Sequence, residues 1–269
     1  MRLGISSFTY HYAITRPLSP DSALQPDDLL ARSTRFGVRV VQFGDNMPLD
    51  RLTDAALVEL KDASIRADLQ LEVGMRGFKE PLIHRYLQIA ADLASPILRI
   101  VVDTPECEPS RDEVVATLRR VAPEFEAAGI ALAVENHDRF RSAQLREIMD
   151  AVASPNVGIC LDTVNSLVAL EDPYTVTETL AGYTVNLHIK DVRARRDDTG
   201  LGVVIQGAPA GQGQVDIPWV IDRVRAAGRD PNAILEQWTP LLDDPRATID
   251  QEARWAEEGL AYLRTLIPD

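Results

Sequence analysis

The sequence predicts one α/β domain over residues 1–269, a closed (β/α)8 barrel, and three observations point to it. Eight short apolar runs alternate with eight longer amphipathic runs, the order expected of a parallel barrel. The apolar runs lack polar alternation, as in strands buried on both faces. The first run leads into Ser6-Ser7-Phe8-Thr9-Tyr10, without the glycine-rich phosphate-binding turn that commonly marks the competing open, doubly wound sheet.

In chain order, strand one is Leu3–Ser6, and the helix Asp27–Phe36 presents Leu29, Leu30 and Phe36 before stopping at Gly37. Strand two, Val38–Phe43, precedes a helix over Thr53–Ala67 that spaces Leu57, Leu60 and Ile65 at helical intervals. Strand three, Leu69–Val73, precedes Pro81–Leu93, with Leu82, Tyr86, Ile89, Ala90 and Leu93 on one stripe. Strand four, Ile97–Val102, precedes Arg111–Ala128, whose stripe is Val114, Val115, Leu118, Val121 and Phe125 and whose stop is Gly129. Strands five, six and seven are Ala131–Glu135, Val157–Leu161 and Thr184–His188, with helices Ser142–Ala153 and Tyr174–Leu180 between them. The segment Lys190–Asp216 carries Gly200, Gly202, Gly207, Gly211 and Gly213 and reads as a long functional loop over the barrel mouth. Ile217–Ala227 is the next helix, with Gly228 behind it, then strand eight, Ala233–Leu235, and a last helix, Ile249–Leu266.

Composition narrows the function. Against 28 Lys and Arg stand 41 Asp and Glu, a net charge of −13, which argues against a general nucleic-acid binder. Cys107 and Cys160 do not make a disulfide framework, and no apolar run approaches the length of a membrane span. The first six residues have no signal-peptide pattern, so the expected compartment is the cytoplasm.

Chemistry in such a barrel comes from the C-terminal ends of the strands. The last four ends supply Glu135, Asp162, His188 and Glu236; the first two intervals are one βα unit each and the third is one unit plus the long loop. Singly, each has a bland reading: Asp162 as a turn cap, the glutamates as salt-bridge partners, His188 as a hydrogen-bonded core residue. Jointly they aim three carboxylates and an imidazole into one mouth, where mutual repulsion calls for a compensating cation. Oxygen donors with one nitrogen and no thiolate suit Mn2+ or Mg2+, with Co2+ and Zn2+ as further options.

The segments Val134-Glu135-Asn136-His137, Leu161-Asp162-Thr163-Val164-Asn165, Leu187-His188-Ile189-Lys190-Asp191, Ile234-Leu235-Glu236 and Gly211-Gln212-Gly213-Gln214-Val215-Asp216 resemble the xylose-isomerase-like TIM barrel superfamily over essentially the whole chain. That group includes sugar isomerases, ketose 3-epimerases, sugar phosphate isomerase/epimerase-like proteins, inosose dehydratases and 3-oxo-isoapionate decarboxylases. The resemblance implies that Glu135, Asp162, His188 and Glu236 bind the metal and that Glu135 and Glu236 double as an acid/base pair working through an enediolate. Where ketose 3-epimerases of the group typically carry a histidine and a glutamate, this chain has Asn165 and Arg141, which points to a different, anionic substrate.

Basic residues on the site-forming segments fit that expectation: Arg76, Arg139, Arg141, Lys190, Arg193, Arg195 and Arg196, against the alternative that several pair with surface acids such as Asp197 and Asp198. The candidate substrate contacts are Arg139, Asn165, Lys190, Arg193, Arg76, Tyr10 and Trp238, and His137 is a candidate support for a metal ligand. Isomerisation or epimerisation of a small sugar, sugar phosphate or sugar acid is the first functional expectation; decarboxylation of a 3-oxo sugar acid is the alternative. A zinc-dependent nuclease fits poorly with four histidines and this acidity, and a non-catalytic barrel would keep the pocket and lose the metal. The expected partner is a small carbohydrate or sugar acid, with homo-oligomerisation as an expectation by analogy.

Overall fold

The computed structural model describes residues 1–268. Its strands are β1 (Leu3–Ser6), β2 (Val40–Phe43), β3 (Gln70–Arg76), β4 (Ile97–Val101), β5 (Ala131–Glu135), β6 (Val157–Asp162), β7 (Thr184–Ile189), β8 (Asp191–Arg196), β9 (Val203–Ala208) and β10 (Ala233–Leu235). Eight of them close into a parallel barrel in the order β1-β10-β7-β6-β5-β4-β3-β2. The helices are α1 (His11–Thr15), α2 (Pro26–Phe36), α3 (Asp54–Arg66), α4 (Glu80–Asp92), α5 (Arg111–Ala128), α6 (Ser142–Val152), α7 (Pro173–Leu180), α8 (Ile217–Ala226) and α9 (Pro245–Leu263).

Each expected strand and helix is present, with ends shifted by a few residues. The stop signals act as read: Gly129 takes φ 66°, a left-handed conformation open to glycine at no steric cost, and its N–H closes the last turn of α5. The apolar stripes of the helices pack on the outer faces of the strands, and Val114, Leu118, Val121 and Phe125 of α5 are all buried; Ile65, expected on the α3 stripe with Leu57 and Leu60, is instead exposed. Among the described residues, no helix is long and apolar enough to cross a membrane.

Three differences bear on the site. β3 runs past Val73 to Arg76, because Gly74, Met75 and Arg76 find parallel partners in Arg99, Ile100 and Val101 of β4. The segment expected as a long loop over 190–216 is instead organised around an antiparallel hairpin, β8 against β9, with Asp191 opposite Ala208 and Arg196 opposite Val203. Its base meets the barrel mouth, where a Cβ on Gly207 would strike the Trp238 carbonyl. Finally, Ser7–Tyr10 and α1 make two helical turns between β1 and α2 that hydrophobic periodicity, read over longer windows, does not reveal.

Candidate active site

Strand register assembles the four metal candidates. Asp162 and His188 are direct partners across β6 and β7, Glu135 is level with Cys160 across β5 and β6, and the Glu236 N–H donates to the Ile189 carbonyl just beyond β10. All four side chains are buried. His188 Nδ1 stands 3.8 Å from Glu135 Oε1, 3.8 Å from Asp162 Oδ2 and 3.4 Å from Glu236 Oε2. Donor atoms about 2.1 Å from one divalent ion stand roughly 3.0–3.4 Å apart. The observed spacings lie at or just above that range, and His188 Nδ1 has no hydrogen-bond partner among the described residues. Asp162, His188 and Glu236 offer donor atoms within 4.8 Å of one another and form one group that could hold a divalent cation; Glu135 falls in a second group with Cys160 and the same His188, so its place as a fourth donor rests on its 3.8 Å approach to His188 Nδ1.

Each of the four is also held from behind. Asp162 does what its bland reading required and more: Oδ1 accepts the backbone N–H groups of Val164 and Asn165, leaving Oδ2 for the centre. Glu135 Oε1 accepts from Asn165 Nδ2 at 2.6 Å, and Glu135 Oε2 is in ion-pair contact with Arg99 Nε. Glu236 Oε1 accepts from Ser6 Oγ at 2.8 Å. His188 Nε2 is hydrogen-bonded to Gln42 Oε1 at 2.7 Å. Cys160 lies beside Glu135 and His188, but burial pushes its thiol well up and disfavours a thiolate ligand.

Two buried cations balance the acids. Lys190 Nζ lies 2.5 Å from Asp162 Oδ2 and 2.8 Å from Glu236 Oε2; burial works against its charge, but Asp162 and Glu236 outweigh it and raise its pKa. Arg99 binds Asp45 through Nη1 at 3.1 Å besides touching Glu135. Burial alone would raise the Glu135 carboxyl, yet Arg99 and His188 hold it well below its ordinary range. Glu236 is likewise lowered, its burial offset by His188 and Lys190.

Above the ligands opens a cavity of about 340 Å3. Arg76, Asn165, Lys190 and Trp238 line it as expected, together with Phe8 and His11, whose rings stack 5.7 Å apart. Three expected substrate contacts do not reach it. Tyr10 is 1% exposed and turned into the shell, its ring under the Arg32 guanidinium at 4.4 Å, because the helical turn Ser7–Tyr10 aims Phe8 and not Tyr10 at the mouth. Arg139 is engaged by both oxygens of Asp103, at 3.1 and 2.7 Å. Arg193 sits on the hairpin, bonded to the Gln212 carbonyl at 2.5 Å. Arg195 pairs with Asp198, the surface alternative. His137 lines the cavity but places Nδ1 2.7 Å from Asp138, away from the metal ligands.

Arg99 and Gln42 touch Glu135 and His188, respectively, and are site residues that the sequence reading missed. Both had a signal, a polar side chain in the middle of an apolar barrel strand. Asp191 is another: its carboxylate accepts the N–H groups of Val192, Gly211, Gly213 and Val215, at 2.8 to 3.1 Å. A Cβ on Gly213 would lie 2.0 Å from that carboxylate, so the glycine-rich segment wraps a protein carboxylate and anchors the strand next to Lys190.

Comparison with known proteins agrees with this fold. Residues 81–266 match the family model for xylose isomerase-like TIM barrels. The chain is similar to the 3-oxo-isoapionate decarboxylase of Pectobacterium atrosepticum, with 31% identity over 100% of this chain and 97% of the relative. In fold it is similar to a D-psicose 3-epimerase solved with D-fructose (TM-score 0.76, 14% identity, 100% of both chains). It is also similar in fold to a xylose isomerase-like TIM barrel protein of Mycobacterium smegmatis in complex with magnesium (TM-score 0.71, 15% identity, 97% of both chains). With its closed eight-stranded barrel and its match over most of the sequence, the chain belongs to the xylose isomerase-like TIM barrel family.

Proposed function

We propose that the protein is a divalent-metal-dependent decarboxylase of a 3-oxo sugar acid, and the observation that supports this reading best is the pairing of Glu135 with Arg99. Epimerisation at one carbon asks for a proton acceptor on each face of the substrate, so both glutamates must gain and lose protons. Glu135 has both oxygens engaged, one by Asn165 and one by a guanidinium that is itself 3% exposed. Protonating it would leave that guanidinium buried beside a neutral acid. Decarboxylation asks less: a positive charge at the keto oxygen and one proton for the carbon that loses CO2. The similarity to a 3-oxo-isoapionate decarboxylase along nearly the full length of both chains supports the same chemistry.

Glu135, Asp162, His188 and Glu236 would hold the cation, with Mn2+ or Mg2+ favoured by the oxygen-rich set and Co2+ or Zn2+ as alternatives. When bound, the cation supplies the positive charge that draws electrons toward the substrate's keto oxygen. Arg76 lines the cavity with its Nε tied to the Asp103 carbonyl at 2.8 Å and its Nη2 3.7 Å from Asp138 Oδ2, and Nη1 is the terminal nitrogen that would receive a substrate carboxylate. The C–C bond to that carboxylate breaks, its electron pair passes into the enediolate, and CO2 leaves. Lys190 Nζ, 2.8 Å from Glu236 Oε2, would steady the negative charge of the enediolate, and Glu236 would pass to carbon a proton taken from solvent. Phe8 and Trp238 shield the site from water.

A second reading, isomerisation or epimerisation of a small sugar, is supported by one observation: Glu135 and Glu236 reach the centre from strands that are not neighbours, and so approach it from different sides. One experiment separates the two. Purified protein with Mn2+ is given 3-oxo sugar acids in D2O and followed by CO2 release and by proton NMR. Stoichiometric CO2, abolished in Lys190→Met and Glu236→Gln, is the expected result. Deuterium exchange and epimer formation on neutral ketoses without CO2 would establish the second reading.

A further inference from the structure

The lumen below the metal ligands is unusual for a barrel. Branched apolar side chains normally fill it, yet here Gln42, Glu72 and Asn186 form a polar layer, all at 1% exposure or less. Such a layer is costly unless every member is satisfied, and the way it is satisfied fixes its direction. Glu72 is the one member that, ionised, can only accept; burial pushes its carboxyl up, and the three amide N–H donors aimed at it favour the ionised form. Its Oε2 receives Gln42 Nε2 and Asn186 Nδ2, each at 2.9 Å, and its Oε1 receives Asn232 Nδ2 at 2.7 Å. With its nitrogen on Glu72, Asn186 turns its Oδ1 to the second proton of Gln42 Nε2, at 2.9 Å, and to Cys160 Sγ at 3.3 Å. Both amide protons of Gln42 are thus committed. A flipped amide would set its oxygen against the Glu72 carboxylate and the Asn186 carbonyl. Gln42 Oε1 is left facing His188 Nε2 at 2.7 Å.

A carbonyl oxygen accepts and cannot donate, so Nε2 of His188 must carry the hydrogen. The neutral ring then presents the Nδ1 lone pair to Glu135, Asp162 and Glu236, the form a metal ligand requires. Strand register enforces the arrangement: Gln42 is level with Glu72 across β2 and β3, and Asn186 lies two residues before His188 on β7, on the same face.

We propose that Gln42, oriented by Glu72 and Asn186, is a positioning residue that sets the tautomer of His188 and through it the affinity for a divalent cation. The affinity part rests on the metal reading of the site; the tautomer part does not. The test uses the full chain with Mn2+ as probe and two readouts, titration calorimetry and long-range 1H–15N spectra of the histidine rings. With only four histidines in the chain, His188 can be assigned by loss of its signals in His188→Ala. In the metal-free protein at alkaline pH, the parent should show His188 protonated at Nε2. Gln42→Met, which keeps the length and removes the acceptor, should shift the ring toward the Nδ1–H form and weaken Mn2+ binding roughly 10- to 100-fold. Glu72→Gln keeps Gln42 but removes the acceptor that orients it, and should reproduce part of both effects if Gln42→Met folds poorly. A parent ring protonated at Nδ1, or a folded Gln42→Met that keeps both the Nε2–H ring and the parent affinity, would overturn the proposal. Equal Mn2+ binding by the parent and His188→Ala would overturn the metal reading instead, while the ring spectra still decide the tautomer.

Discussion

Replacing Arg99 by methionine is the perturbation that the structure makes most consequential outside the metal ligands. The guanidinium is 3% exposed, in contact with Glu135 and 3.1 Å from Asp45. Methionine keeps much of the apolar stem, so little of the effect comes from a cavity. Removing one partner of a buried ion pair costs about 3–5 kcal/mol, because the other charge stays buried without compensation. For a domain somewhat above 250 residues, about 2–4 °C per kcal/mol gives a fall in Tm of roughly 6–20 °C. The assay is thermal unfolding by circular dichroism, once with chelator and once with saturating Mn2+. The loss should be large in chelator and smaller with Mn2+, since a cation beside Glu135 supplies part of the missing charge. In a double-mutant cycle with Glu135→Gln the two losses should be clearly less than additive. A Tm for Arg99→Met within about 2 °C of the parent in chelator, below the shift expected for even 1 kcal/mol, would refute the view that this arginine neutralises the site.

Three further outcomes follow from the geometry. Lys190→Met should abolish decarboxylation and tighten Mn2+ binding, because an ammonium 2.5 Å from Asp162 and 2.8 Å from Glu236 competes with a cation for the same oxygens; unchanged or weaker binding would contradict this. Burial pushes the Glu252 carboxyl from 4.5 up to about 7, although it accepts the N–H groups of Tyr12 and Ala13. A raised acid stabilises the fold below its unfolded pKa and loses that contribution as pH rises through the folded one, so parent stability should fall between about pH 4.5 and 7, and Glu252→Gln should flatten that slope in urea titrations. Gly213→Ala should loosen the hairpin base, since the added Cβ would lie 2.0 Å from the Asp191 carboxylate; hydrogen exchange across β8 and β9 should speed up while the barrel strands stay protected.

The strand ends were legible, and so was the meeting of Glu135, Asp162, His188 and Glu236 at the mouth, because both depend on local pattern. Apolar runs bounded by turns locate strands, and a barrel puts chemistry at their C-terminal ends whatever the rest of the chain does. The hairpin was not legible, since Asp191–Arg196 carries three arginines that read as a solvated loop. The fates of the arginines were equally hidden: Arg139 and Arg193 had a plausible place at the mouth, but Asp103 and the Gln212 carbonyl claim them.

What the sequence by itself determined, then, is the (β/α)8 order and the set Glu135, Asp162, His188 and Glu236, because each follows from spacing along the chain. Closure of the barrel decided what surrounds that set. It carries Gln42 from β2 to His188 on β7 and Ser6 from β1 to Glu236 after β10, while the pairing of β4 with β5 sets Arg99 beside Glu135. Such contacts depend on which side chains share a layer of the lumen, and a linear pattern of apolar and polar residues does not encode those distances.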